Sequence, residues 1–277
     1  MSVVAVKHQP DSIATARPER DFVSWSQLST FRQCPLRYHF RYDLRLPEEF
    51  ASPSLLFGGG IHRAIEVLHR DQLEGNTPRL LDELMAEFWD EWKFRSADAP
   101  EIRFGKQESP QTFNDLARRV LCKFLESELS RPVGQVIAIE EELRGEILPG
   151  VKDLLAIVDL VIDRGDALIL RDYKTARSRW SKDHADDSAE QLLLYSSLVG
   201  GLGPEKSLRL EFVVLTKAAS PAIELYELSC DPHRVAKTKL IAERTVDAIA
   251  AGNIYPNPSP TNCGSCPYKK SCREWCG

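Results

Sequence analysis

Two aspartates and a lysine, Asp159, Asp172 and Lys174, dominate the chemistry of one stretch, Val158–Lys174, which reads VDLVIDRGDALILRDYK. Apolar runs at Ala156–Ile162 and Ala167–Leu170 flank the turn-forming Arg164-Gly165-Asp166, which predicts a β-hairpin. Residues two apart on a strand share a face, so Asp172 and Lys174 project together, and Asp159 can reach them from the neighbouring strand. Two carboxylates make a hard oxygen site for Mg²⁺ or Mn²⁺. A lysine beside them can orient a water and offset charge developing on a phosphate. That is the constellation of a phosphodiester-cleaving site. A bare D-x-K is more often a pair of surface residues near a strand end, so the remaining chain has to decide.

The cysteines form a second constellation. Cys263, Cys266 and Cys272 are spaced C-x2-C-x5-C, Cys276 follows, and Cys34 stands alone before Pro35. In a chain expected to be cytoplasmic, seven cysteines point to a metal or cluster rather than to disulfides. Cys122, in a helical pattern, and Cys230, after a strand, read as small buried hydrophobes.

Composition sets the frame. The 277 residues are 43% hydrophobic and 28% charged, ordinary for a globular protein able to bury a substantial core. No apolar run reaches the length of a membrane span, and no signal-peptide core is present. The net charge of −5 does not advertise nucleic-acid binding, but basic residues gather locally. Arg32, Arg37, Arg41 and Arg45 form one group, Arg171, Lys174, Arg177, Arg179 and Lys182 another, and Lys269, Lys270 and Arg273 a third. Charge runs are usually solvated faces, so these decide nothing alone.

The elements that must position these residues follow in order. Residues 1–20 read as a disordered leader and 21–277 as a single domain, with a helical part at 24–130, a core at 133–251 and a cysteine-bearing end at 252–277. A helix begins at Ser24-Trp25-Ser26 with serine capping, and the chain restarts at Cys34-Pro35. There Tyr38 and Tyr42 interleave with arginines, which suits either stacking on a nucleic-acid strand or an amphipathic helix. Gly58-Gly59-Gly60 allows close backbone passage before a helix from Ile61 to about Arg70, with His62 in its first turn. A lone histidine is more often structural than a ligand. Further helices are expected near 79–95 and 111–130, with an exposed loop at 96–110.

Strands follow at 136–143, 154–162 and 167–173, then a mobile polar loop at 174–187. A helix at 188–198, a strand at 208–215, a short strand at 223–228 and a helix at 232–251 complete the pattern. The order βββαβ, flanked by helices, predicts an α/β core with a mixed sheet. Gln191 and Tyr195, four apart, share a helix face and can hold a metal-bound water or a phosphate, or simply cap a buried helix.

Taken together, these pieces resemble the PD-(D/E)XK nuclease superfamily, in its RecB-like branch with an iron–sulfur cluster, which includes CRISPR-adaptation nucleases. The matching residues are Gly58-Gly59-Gly60-Ile61-His62, Val158-Asp159, Asp172-Tyr173-Lys174-Thr175 and Gln191 with Tyr195, framed by Cys34-Pro35 and the terminal cysteines. The resemblance implies a restriction-endonuclease-like core. It also implies metal ligation by His62, Asp159, Asp172 and the Tyr173 carbonyl, with Lys174 as catalytic lysine. Gln191 and Tyr195 would support the metal site and the DNA. Cys34, Cys263, Cys266 and Cys272 would hold a [4Fe-4S] cluster, with zinc as the other candidate. Ala156 departs from the family's pattern, which often has glycine there, and Cys276 is an extra thiol able to compete with Cys272.

The function implied is a metal-dependent DNA nuclease using Mg²⁺ or Mn²⁺, an exonuclease on single-stranded DNA in repair, recombination, or phage or CRISPR DNA processing. A helicase is a possible partner. The alternative is a catalytically silent, DNA-binding iron–sulfur subunit of a larger helicase–nuclease or adaptation complex. A cysteine-rich redox module is a third reading, but it gives no reason for the D…D-x-K hairpin.

Overall fold

The computed structural model describes residues 21–147 and 150–275. The leader expected at 1–20 and Cys276 lie outside the described residues. Strand β1 (Phe22–Ser24) leads into α1 (Trp25–Gln33), then the short α2 (Pro35–Tyr38) and a π-turn at His39–Asp43. Three longer helices follow: α3 (Pro53–Glu74), α4 (Leu81–Ser96) and α5 (Pro110–Glu126). Strands β2 (Gln135–Gly145), β3 (Asp153–Asp163) and β4 (Ala167–Ala176) are succeeded by α6 (Lys182–Asp187) and α7 (Glu190–Val199). Then come β5 (Ser207–Thr216), β6 (Ile223–Leu228), α8 (Pro232–Ala250), α9 (Pro260–Gly264) and α10 (Lys269–Glu274).

The sheet is mixed, as the element pattern predicts. β1 pairs in parallel with β3 and β4 in parallel with β5, while the β2–β3, β3–β4 and β5–β6 pairs are antiparallel. Helices cover both faces. On one, Phe57, Ile61, Phe88, Val120 and Phe124 of α3, α4 and α5 pack on Ile139, Ile169, Val213 and Leu215. On the other, Leu28 of α1, Leu192, Leu194 and Val199 of α7 and Ala242 of α8 pack on Ala156, Leu168, Leu210 and Phe212. The alternation of Leu168, Leu170 and Ile169 between the two cores explains the near-continuous apolar runs, because a strand buried on both faces has no polar side.

Local chemistry explains the element ends. Ser24 caps α1 reciprocally with Gln27, its hydroxyl accepting from the Gln27 N–H and its own N–H donating to Oε1 at 2.9 Å. Arg164 N–H donates to the Ala167 carbonyl at 2.9 Å across the hairpin turn, where Gly165 takes φ +89°, a backbone region suited to glycine.

The structure departs from the sequence reading in four places. The glycines of residues 58–60 lie inside α3, which begins at Pro53, so His62 sits in its third turn rather than its first. Close packing explains their tolerance there: a Cβ on Gly60 would stand 2.5 Å from a Phe88 ring carbon and 2.9 Å from the Phe88 carbonyl. The stretch 174–187 is not all loop, because β4 runs to Ala176 and α6 forms over Lys182–Asp187, with Ala185 buried beneath it. Strand β1, too short to show a periodicity, was not expected. Cys122 is exposed, on the outer face of α5, and not a buried hydrophobe.

Candidate functional site

β3 has β2 along one edge and two different neighbours along the other. β1 pairs with its first residues, at Asp153–Leu155, and β4 with its last, at Leu160–Asp163. The ladder therefore opens between Ala156 and Asp159, and the predicted carboxylates sit at this opening. The Tyr173 N–H donates to Asp159 Oδ2 at 2.7 Å instead of continuing the backbone ladder. Asp172 and Lys174 share a face as their spacing requires: Lys174 Nζ donates to Asp172 Oδ1 at 2.9 Å and lies 2.7 Å from Oδ2. Gln191, from the first turn of α7, accepts from Lys174 Nζ at 3.0 Å. The lysine head is thus fixed between two strand carboxylate atoms and a helix amide.

His62 Nδ1 lies 3.4 Å from Asp159 Oδ2 and 3.7 Å from Glu140 Oε1. Among the described residues, His62, Glu140 and Asp159 form a set whose ligand atoms all lie within 4.8 Å of one another. Glu140 was missed at the sequence level. It stands in a Glu140-Glu141-Glu142 run that looks like solvated strand, but its φ is +44°, a region costly for a residue with a Cβ. The pleat reverses there. Leu160 and Val158, two apart on β3, pack into opposite cores, and Glu140 and Asp159 occupy the crossover between them. A non-glycine in the left-handed region amid acidic residues is a signal that only coordinates reveal.

Burial works against charge at this site, and the charges resist it collectively. Burial raises Asp159 above the usual carboxylate range, partly offset by His62. Burial, with Asp159 nearby, pushes Asp172 up to about 6 despite Lys174. Burial opposes protonation of His62, but Asp159, Glu140 and Asp172 outweigh it and push the imidazole up to about 9. Lys174 is likewise held above the ordinary lysine range by Asp172 and Asp159, against its burial. The donor set fits a hard divalent cation. Imidazole and carboxylate oxygens converge, and buried Asp172 Oδ2 accepts no well-directed hydrogen bond within the protein. Ligation by His62 requires loss of its proton, so cation binding at this site releases protons.

Tyr195 is buried on α7 beside Gln191, and burial raises its hydroxyl above the usual phenol range. The Tyr173 side chain points away from the carboxylates into the α3–α5 core, where its hydroxyl meets His69 Nε2 at 2.8 Å. His69 Nδ1 meets Gln72 Oε1 at 3.1 Å. Burial pushes this histidine down to about 4 despite Gln72. Anchoring Tyr173 through its ring fixes the strand backbone between Asp172 and Lys174.

The cysteines assemble at the other end of the fold. Cys34, Cys263, Cys266 and Cys272 line one cavity of about 50 Å³, together with Leu36, Phe40 and Tyr268. None of the four is in a disulfide. Backbone contacts bring the distant segments together: Leu36 N–H donates to the Tyr255 carbonyl at 3.0 Å, and Asn262 Nδ2 to the Gln33 carbonyl at 2.8 Å. Burial raises the Cys266 thiol, with Cys34 and Cys263 adding to it against a nearby Arg37. The cysteine sulfurs are spread more widely than the His62 set, since no three fall within 4.8 Å of one another among the described residues. Several of the basic residues are paired internally: Arg32 with Glu190 at 2.6 Å, Arg179 with Glu224 at 3.1 Å, and buried Arg171 with Glu211 at 2.7 Å.

The D…D-x-K set thus sits where the ladder of a mixed α/β sheet opens. The sequence pattern of the PD-(D/E)XK nuclease superfamily matches residues 23–273, and the chain belongs to that superfamily. Among solved structures, a protein from Eubacterium rectale provisionally named an exonuclease superposes with a TM-score of 0.56 at 17% identity, covering 92% of this chain and 88% of that one. The structure named SSO0001 gives a TM-score of 0.37 at 18% identity, with 91% and 96% covered. A search of curated protein sequences finds no match. No helix among the described residues is long and apolar enough to cross a membrane.

Proposed function

We propose that this protein is a metal-dependent deoxyribonuclease of the RecB-like kind, acting as an exonuclease on single-stranded DNA. The observation that carries this reading is the fixed Asp172–Lys174–Gln191 chain beside the convergent His62, Glu140 and Asp159. His62, Asp159, Asp172 and the Tyr173 carbonyl would hold Mg²⁺ or Mn²⁺, with Glu140 as a further carboxylate. A bound divalent cation supplies Lewis acidity toward the scissile phosphate and lowers the pKa of a water. Lys174, its ammonium held by Asp172, orients the attacking water and offsets charge on the phosphate. Gln191 keeps the lysine in place, and Tyr195 supports Gln191 from the next turn of α7. The name of the Eubacterium rectale neighbour agrees with exonuclease action.

On the same proposal, Cys34, Cys263, Cys266 and Cys272, which line one cavity, would hold a [4Fe-4S] cluster in a structural role, since hydrolysis transfers no electrons. Tetrahedral zinc on the same four thiolates is the other candidate. Free thiols in this number suit the reducing cytoplasm. Repair, recombination or phage or CRISPR DNA processing, with a helicase as partner, is the setting this activity fits.

End-labelled single- and double-stranded DNA, incubated with Mg²⁺ or Mn²⁺, tests the reading. A ladder shortening from one end of the single strand is expected. No cleavage by protein loaded with both metal and cluster would favour the silent DNA-binding subunit.

A further inference from the structure

Beside the active site, at the far ends of β4 and β5, an open pocket of about 790 Å³ is lined by Lys106, Arg119, Arg177 and Lys217, with Ser54 and Glu108. Four cations face one carboxylate. Most other arginines near the site have carboxylate partners, but none of these four makes an ion pair among the described residues. Lys217 joins the strand end to α3 within the pocket. Its backbone N–H donates to the Ala176 carbonyl at 2.6 Å, at the end of the strand carrying Lys174, and its Nζ donates to Ser54 Oγ at 2.6 Å on the first turn of α3. Burial and the neighbouring Arg177 press the Lys217 amine below its ordinary range, so an anion placed between the two would relieve both.

The same two elements that carry the active site carry this pocket. Arg177 follows Lys174 by three residues, roughly 10 Å along an extended strand. Ser54 precedes His62 by eight residues on α3, roughly 12 Å along a helix. An extended single strand spaces its phosphates more widely than the duplex rise of about 3.4 Å, so the pocket is placed to take a phosphate near the cleaved one. Arginine and lysine around a serine hydroxyl are the donor set for a phosphate.

We propose that this pocket binds a phosphate of the substrate strand near the scissile bond, and so helps set how the strand is positioned before each cut. The proposal rests on the nuclease reading for its role in cleavage. It rests on the pocket alone for phosphate binding. The phosphate is either the terminal one of a strand or an internal one, and the two sources separate by experiment.

Binding of short fluorescent single-stranded oligonucleotides, without divalent metal, would be followed by anisotropy across a salt series for wild type, Arg177→Gln, Lys217→Met and the control Arg179→Gln. The pocket variants should bind about tenfold more weakly at low salt. Their dependence of log K on log salt should be shallower by about 0.7 per lost contact. The control should match wild type. If only end-phosphorylated oligonucleotides show the difference, the pocket holds a terminal phosphate. If unphosphorylated and circular strands show it as well, the phosphate is internal. In cleavage assays KM should rise while kcat holds, and product lengths should broaden. Equal affinities and slopes for Arg177→Gln and wild type on every strand would overturn the proposal; Arg177 is exposed, so that variant decides even if Lys217→Met fails to fold. Slopes that differ in a protein that cuts nothing would keep the pocket and sink the nuclease reading.

Discussion

Glu140 shows how a single backbone angle builds a site. Its left-handed φ of +44° reverses the pleat of β2 and turns its carboxylate toward His62 and Asp159. That conformation costs about 1 kcal/mol for a residue with a Cβ, and it crowds carboxylates together. Glu140→Gly removes the strain and the crowding, so its thermal midpoint should equal or exceed that of wild type. Its Mn²⁺ affinity, followed by calorimetry, should fall at least about tenfold. A lower midpoint with unchanged metal affinity would contradict a ligand role. His69 gives a second prediction at this scale. Its folded pKa of about 4 lies below the ordinary 6.5, so the unfolded chain takes up the proton first. The part of the stability owed to His69, read as wild type minus His69→Gln, should therefore be flat above pH 6.5 and fall as the pH drops from 6.5 through 4, by on the order of 3 kcal/mol. Urea unfolding at several pH values reads this, and His69→Gln should flatten the fall in that window; an unchanged slope would remove His69 as its cause.

At the scale of elements, α3 joins three regions, its residues entering the core, the His62–Glu140–Asp159 set and the pocket at Ser54 in turn. Its glycines are there for packing. A Cβ on Gly60 would meet the Phe88 ring and the Phe88 carbonyl of α4, whereas one on Gly59 would meet only the flexible Arg95 side chain. Gly60→Ala should destabilise by about 2 kcal/mol, and Gly59→Ala by much less, read as denaturant midpoints. Equal effects would mean that the helices are not in contact as described. The hairpin, the mixed sheet, the buried α7 and the pairing of Asp172 with Lys174 were all legible, because two-residue and four-residue periods survive in sequence. What was not legible has physical reasons. Three consecutive glycines read as a break although tertiary packing holds them helical. Short α6 hides in a polar stretch because one buried alanine is too little periodicity to see. Glu140 left no mark in the sequence because its place comes from a φ angle and from a residue on the next strand.

For the whole molecule, the cysteine cavity ties the segment around Cys34 to the C-terminal segment some 230 residues later, since Cys263, Cys266 and Cys272 share its walls. If a cluster closes that loop, cluster removal should loosen both ends without unfolding the sheet. The purified protein should be brown with broad absorbance near ~400 nm, as expected for iron bound by thiolates. Cys34→Ser should lose that colour and become sensitive to limited proteolysis near residues 34–50 and 252–270. Colourless wild-type protein with equal zinc content would redirect the site to zinc.

Lys174, fixed between Asp172 and Gln191, is the residue on which the proposed phosphodiester cleavage turns. The most direct measurement is single-turnover cleavage of end-labelled single-stranded DNA with saturating Mn²⁺, for wild type and Lys174→Ala, beside DNA affinity and circular dichroism of each. The variant should keep its fold and its DNA affinity while its cleavage rate falls at least about a hundredfold. A folded Lys174→Ala protein that cuts at the wild-type rate would contradict that role for Lys174.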